Sequence, residues 1–281
     1  PAFNFASLER PIISFKNYVK THVGDGVVLE YSVDNRNIVD PNKVWNRLGS
    51  DLSGVDWYNK GDLASNPGNQ QTGDYGWSET GKVNEESKWR ESKHSLNVVK
   101  GEPQVVFRFA LASNVGKPSL KGFALDSIRI GNGTRTVLLE NFTNTSTNAV
   151  RVENEYFRSF PVDASGNPLA SDGVELVKVE YHVGFPNADP FNEENPADPG
   201  ARALYYNIAS VPQVRLDGYG GTTPGPLFTQ WGQPEFDKRV LELANAEIDA
   251  DVEITEGMIS ITGTFRPLAD ISTNTILHVA V

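Results

Sequence analysis

The patterned segments of this chain change period near residue 135. Up to Ile130 they read as strands: Val27 to Val33 follows a turn at Gly24-Asp25-Gly26, and Val105 to Leu111 and Phe123 to Ile130 alternate with a period of two. No long helical pattern intervenes, and residues 34–104 are rich in Gly, Asn, Asp and Trp, which reads as loops and short strands. Strands at this spacing predict a two-sheet β-sandwich or jelly roll. Beyond Thr136, strand-like and helix-like runs take turns. Val174 to Val183 reads as a strand, and Val150 to Phe160 and Ala201 to Tyr206 read as helices. Pro234 suits a first helical turn, ahead of Phe236, Val240 and Leu243 at helical spacing. That order predicts an α/β unit with a partly parallel sheet. Near the end Ile248, Ala250, Val252 and Ile254 alternate with acids, Glu256-Gly257 marks a turn, and Met258 to Phe265 and Thr275 to Val281 read as strands.

Charge changes at the same place. Residues 1–135 carry 17 Lys and Arg against 15 Asp and Glu, whereas residues 136–281 carry 8 against 21, within a net −11. The chain therefore reads as a β-sandwich over 1–134, an α/β domain over 135–247, and strands of an incomplete sheet over 248–281. The acidic second half argues against nucleic acid as a partner, because phosphate contacts need clustered Lys and Arg. No apolar run approaches the roughly 20 residues that span a bilayer. The chain opens Pro1-Ala2-Phe3, with neither initiator Met nor signal peptide, and both ends read as cut from something longer. There is no cysteine, which excludes disulfides, thiolate metal sites and Cys nucleophiles.

Two stretches carry family resemblances. Gly24-Asp25-Gly26-Val27-Val28-Leu29-Glu30-Tyr31-Ser32, Trp45-Asn46-Arg47-Leu48-Gly49, Asp56-Trp57-Tyr58-Asn59, Gly76-Trp77-Ser78, His94-Ser95-Leu96, Phe107-Arg108-Phe109 and Gly122 to Ile130 follow one another in an order that resembles the MAM-like, choice-of-anchor J jelly rolls of Bacteroidota surface proteins. That resemblance implies a non-catalytic sandwich on an exported protein. Leu139-Glu140-Asn141-Phe142-Thr143-Asn144, Val179-Glu180-Tyr181-His182, Asp189-Pro190-Phe191, Arg202 to Pro212 and Leu216-Asp217-Gly218 resemble the Omp-twenty-eight-related lipoproteins of Bacteroidota, which carry a thioredoxin-like domain. The family pattern often places Phe-Thr-Gly before a Cys-x-x-Cys pair. Here Asn144 holds the Gly position, and the two Cys positions fall on Thr147 and Val150. The resemblance also implies a cis peptide at Val211-Pro212.

A dithiol enzyme needs a thiolate and a resolving thiol, and Thr147 supplies neither. Thr147 or Asn148 reads instead as a helix cap. The four histidines, His22, His94, His182 and His278, lack zinc-ligand spacing. Asp25 and Asp126 are candidates for a structural Ca²⁺, and no other cofactor is expected. Of the tryptophans crowded between Trp45 and Trp89, Trp57 with Tyr58, and Trp77, are the candidate ligand-binding aromatics, weighed against a role in the core. The functional expectation is a non-enzymatic binding or structural protein of the cell surface or outer membrane, whose partners are other surface proteins. Glycan binding by the sandwich through Trp57, Tyr58 and Trp77 is the alternative. An enzyme on a relic thioredoxin scaffold is a third class.

Overall fold

The computed structural model of the protein describes residues 1–51, 53–70, 74–79, 88–114, 122–146, 155, 157–160, 176–218 and 233–271. The chain forms two compact units, Pro1–Leu241 and Glu242–Val281, and is rich in β structure. Residues on both sides of the expected 134/135 boundary thus belong to one unit, and the observed boundary lies six residues ahead of 247/248.

The first part of the large unit holds two antiparallel three-stranded sheets. In one, β1 (Pro11–Lys20) lies between β4 (Arg90–Ser95) and β6 (Gly122–Asn132). In the other, β2 (Gly26–Ser32) lies between β3 (Asn46–Arg47) and β5 (Val106–Ala112). Their facing residues share one core. Phe15 of β1 meets Phe109 of β5 with ring centroids 5.3 Å apart, and Phe109 meets Phe123 of β6 at 5.8 Å. The inward positions of β1 are Ile13, Phe15 and Asn17. Asn17 is buried and donates to Ser92 Oγ of β4 at 2.7 Å, so this central strand carries a polar residue where alternation calls for an apolar one.

The second part of the large unit is a mixed sheet in the order β8-β7-β9. β7 (Val137–Thr143) runs parallel to β8 (Leu176–His182) and antiparallel to β9 (Gln213–Leu216). β7 is buried along nearly its whole length, as a central strand covered on both faces should be. Val137 and Leu139 join a core with Phe157, Phe160 and Phe236, the last from α3 (Gln233–Val240). Phe142 joins a second core with Ala203 of α2 (Ala197–Tyr205). A short helix, α1 (Pro190–Glu194), precedes α2. Of the expected helix over 150–160, Glu155 and residues 157–159 are helical, Phe160 is not, and residues 150–154 and 156 lie outside the described residues. Asp217, past β9, accepts from Leu138 N at 2.8 Å and from Arg135 Nη2 at 2.8 Å and Arg239 Nε at 3.2 Å, which ties β7, β9 and α3 together. The two parts touch directly. Ile12 and Val55 of the first part pack into the core under α3, and Gly54 N donates to Asp237.

The small unit is a ribbon of β10 (Ala246–Thr255) and β11 (Met258–Pro267). Glu256 and Gly257 both have positive φ, 51° and 80°, the geometry of a tight type I′ hairpin turn. The register pairs Ile248 with Phe265, Val252 with Ile261 and Ile254 with Ile259 on one face; Glu247, Asp249, Asp251 and Glu253 occupy the other. Every residue of β11 is exposed. The expected strand over 275–281 lies outside the described residues. Among the described residues no helix is long and apolar enough to cross a membrane.

Candidate functional sites

The C-terminal ends of the parallel strands β7 and β8 form a buried polar clamp. Asn144, which follows β7, is fully buried. Its Nδ2 donates to Val183 O and Asn187 O, both at 2.8 Å, and its Oδ1 accepts from Ser146 N at 2.8 Å and Ser146 Oγ at 2.5 Å. Asp189 is equally buried and N-caps α1, accepting from Phe191 N at 2.9 Å and Asn192 N at 3.4 Å. The same carboxylate accepts from Thr145 N at 2.7 Å and contacts His182 Nδ1 at 3.1 Å. Burial alone would raise the Asp189 carboxyl, but the hydrogen bonds from Thr145 N–H, His182 and Phe191 N–H outweigh it and hold it below the usual range. The His182–Asp189 pair orients an imidazole, yet among the described residues no hydroxyl contacts that ring: Ser146 is held by Asn144. Thr147 and Val150 lie outside the described residues. The Val211–Pro212 peptide, just ahead of β9, is cis.

The aromatic candidates lie elsewhere than a ligand surface. Trp57, Tyr58 and Trp77 are 5%, 4% and 3% exposed, so the structure corrects their expected role as ligand-binding residues. They lie in the core shared by the two antiparallel sheets of the first part. Trp57 and Trp77 rings lie 5.0 Å apart and those of Tyr58 and Trp77 4.6 Å. Their polar tips are satisfied internally: Trp57 Nε1 donates to Leu48 O at 3.0 Å, Trp77 Nε1 to Asp56 O at 3.3 Å, and Tyr58 Oη to Leu29 O at 3.1 Å. Burial pushes the Tyr58 phenol up.

The calcium candidates are separated. Asp25 is buried in the turn before β2, and its Oδ1 accepts from Asn114 N at 2.9 Å and Asn114 Nδ2 at 3.1 Å. Asp126 is exposed on β6 of the other sheet. Its Oδ1 accepts from Ser127 N at 2.7 Å where the β1–β6 register slips. Among the described residues no three His, Asp or Glu side chains gather as a metal site would require.

A cleft of about 400 Å³ opens instead over the outer side of the β3-β2-β5 sheet, lined by Ile38, Asp40, Lys43, Trp45, Asn69 and Arg108, with Val39, Pro41 and Gly68. Its floor is a cross-strand ion pair. Glu30 of β2, 2% exposed, sits opposite Arg108 of β5, and Arg108 Nε donates to Glu30 Oε2 at 2.7 Å. Burial raises the Glu30 carboxyl, opposed by the Arg108 hydrogen bond and charge. The Arg108 guanidinium lies 4.2 Å from the centre of the Trp45 ring, and Lys43 Nζ lies 5.8 Å from it. Gly68 covers Glu30 at φ +77°, where an added Cβ would fall 2.6 Å from Glu30 Oε1, so a side chain is excluded both by conformation and by space. The spacing of Trp45 and Arg108 in sequence gives no hint of this contact. Only the registers Glu30↔Arg108 and Tyr31↔Asn46 bring them together.

Compared with known protein families, curated proteins and solved structures, the chain matches no family model, no curated protein and no solved structure.

Proposed function

We propose that the chain is a non-enzymatic binding protein of a bacterial cell surface or outer membrane: a MAM-like jelly roll, a thioredoxin-like domain without its redox pair, and a ribbon that meets another protein. Two facing antiparallel sheets around an aromatic core support the jelly roll. A sheet in the order β8-β7-β9, with a parallel first pair and an antiparallel third strand, supports the thioredoxin-like reading. The absence of any cysteine removes thiol exchange from what this chain can do.

The observation that carries the binding role is the ribbon. Ile248, Val252, Ile254, Ile259, Ile261 and Phe265 are 42–72% exposed along one face, with acids on the other. Contiguous apolar patches of this kind mark interaction surfaces. Protease added to intact producing cells should therefore degrade the protein. Full protection until the cells are lysed contradicts a surface location.

A second reading, glycan binding by the sandwich, is favoured by one observation. The cleft over Trp45 combines a partly exposed indole with fixed polar groups in a volume suited to a small ligand. In this reading Trp45 takes the place of the buried Trp57, Tyr58 and Trp77.

A further inference from the structure

We propose that the Trp45–Arg108 cleft binds a carboxylate-bearing sugar, a uronic acid residue of an acidic glycan; this rests on the reading of the sandwich as a glycan binder. The fork of Arg108 is held in place before any ligand arrives. Its Nε is fixed by the nearly inaccessible Glu30 carboxylate at 2.7 Å, and its flat face rests on Trp45 at 4.2 Å. Among the described residues its Nη1 and Nη2 have no protein acceptor. Two parallel N–H donors at a fixed spacing match the two oxygens of a carboxylate, and a guanidinium pinned in advance loses little freedom on binding.

The rest of the lining suits a ring bearing hydroxyls. Lys43 adds a second positive charge, itself anchored by Arg36 O at 2.9 Å and by Asp34 O. Asp40 uses Oδ1 to accept from Asn42 N at 2.8 Å, which leaves Oδ2 for a hydroxyl donor. Asn69 brings an amide, and its backbone is fixed in the left-handed region at φ 54°. Ile38 and Val39 stand at the lip, 58% and 82% exposed, where they can cover the apolar side of a sugar ring. Lys43 is 7% exposed and bound to backbone carbonyls, so the open donor of the cleft is the Arg108 fork, whose paired N–H groups select a carboxylate by geometry.

The test titrates the intact protein with trigalacturonate, its fully methyl-esterified form, neutral galactotriose and galactose 6-phosphate, by calorimetry at low and at physiological salt. Trigalacturonate should bind in the millimolar range or tighter and weaken as salt rises. The ester should bind at least about tenfold more weakly, because it lacks the charge the fork recognises. Glu30→Gln/Arg108→Gln, which removes both partners so that no buried charge is stranded, should abolish the preference for acid over ester. Arg108→Lys keeps the charge beside Glu30, removes the fork and should lower affinity about tenfold, which keeps the test open if the double variant fails to fold. Equal affinity for acid and ester, an Arg108→Lys variant that binds like wild type, or tight binding of the phosphate alone overturns the proposal. Binding of neutral galactotriose that is lost in Trp45→Ala overturns the acidic ligand but leaves the glycan reading standing. Binding of no saccharide overturns both.

Discussion

His94, on β4, shows how closely the loops of the first part hold a single side chain. Its ring lies 4.6 Å from that of Trp57, its Nε2 is 2.8 Å from Ser53 Oγ, and its Nδ1 is 2.6 Å from Ser95 O. Burial lowers its pKa from 6.5 to about 4, against the opposing hydrogen bond to Ser95. In the unfolded chain the imidazole takes its proton near pH 6.5, and in the folded chain only near pH 4. Between those values the unfolded state binds more protons. Stability is therefore complete above pH 6.5, falls as the pH drops, and levels off below 4, with a loss of up to roughly 3 kcal/mol from this residue. The urea midpoint of wild type should accordingly fall toward that of His94→Gln between pH 7 and 4.5; a constant gap contradicts the assignment. None of this was legible in sequence, where His94 stood in an apparently irregular stretch. The tryptophans pose the same difficulty. Trp57 and Trp77 sit in Gly- and Asn-rich segments that look like exposed loops, yet tertiary packing buries them, while Trp45 in an equally polar context lines the cleft.

At the level of elements, strands with an apolar inward row were readable, and those with a polar one were not. β4 turns Ser92 and His94 where apolar residues would announce a strand, and Asn17 breaks the pattern of β1, the centre of its sheet. α2 begins at Ala197, four residues ahead of the segment marked by its side chains, because Gly200 and two acid- or proline-bearing positions precede the amphipathic turn. What fastens α2 to β7 is ionic. Glu140, fully buried on β7, accepts from Arg202 Nε at 2.7 Å and Arg202 Nη2 at 3.1 Å, and Tyr206 Oη donates to it at 2.7 Å. The Glu140 contact raises the pKa of Arg202, and burial together with Glu140 raises that of Tyr206. Removing one partner strands a buried charge, so Arg202→Met should cost about 3–5 kcal/mol in urea unfolding. Glu140→Gln/Arg202→Met should recover much of that loss. A double variant no more stable than the single would show that the carboxylate is not the source of the penalty.

Across the whole molecule, the charge step at residue 135 coincides with a change from one core to another but not with a break between compact units. The reason is contact that no local pattern encodes: Ile12 and Val55 enter the core under α3, and Arg10 Nη1 donates to Arg135 O at 2.9 Å. The amphipathic ribbon was legible as alternation in Ile248 to Ile254, since a two-residue period survives whether or not anything covers it. A two-stranded ribbon is marginally stable by itself, and in the proposed function its apolar face is the surface that meets another protein. The most direct measurement mixes the intact protein with washed outer membranes of the producing cell and sediments them. Wild type should pellet with the membranes, while Val252→Ser/Ile261→Ser, with an unchanged circular dichroism spectrum, should remain in the supernatant. Equal pelleting of the two, or a wild type that stays in solution, contradicts a protein that acts by binding at the cell surface through its ribbon.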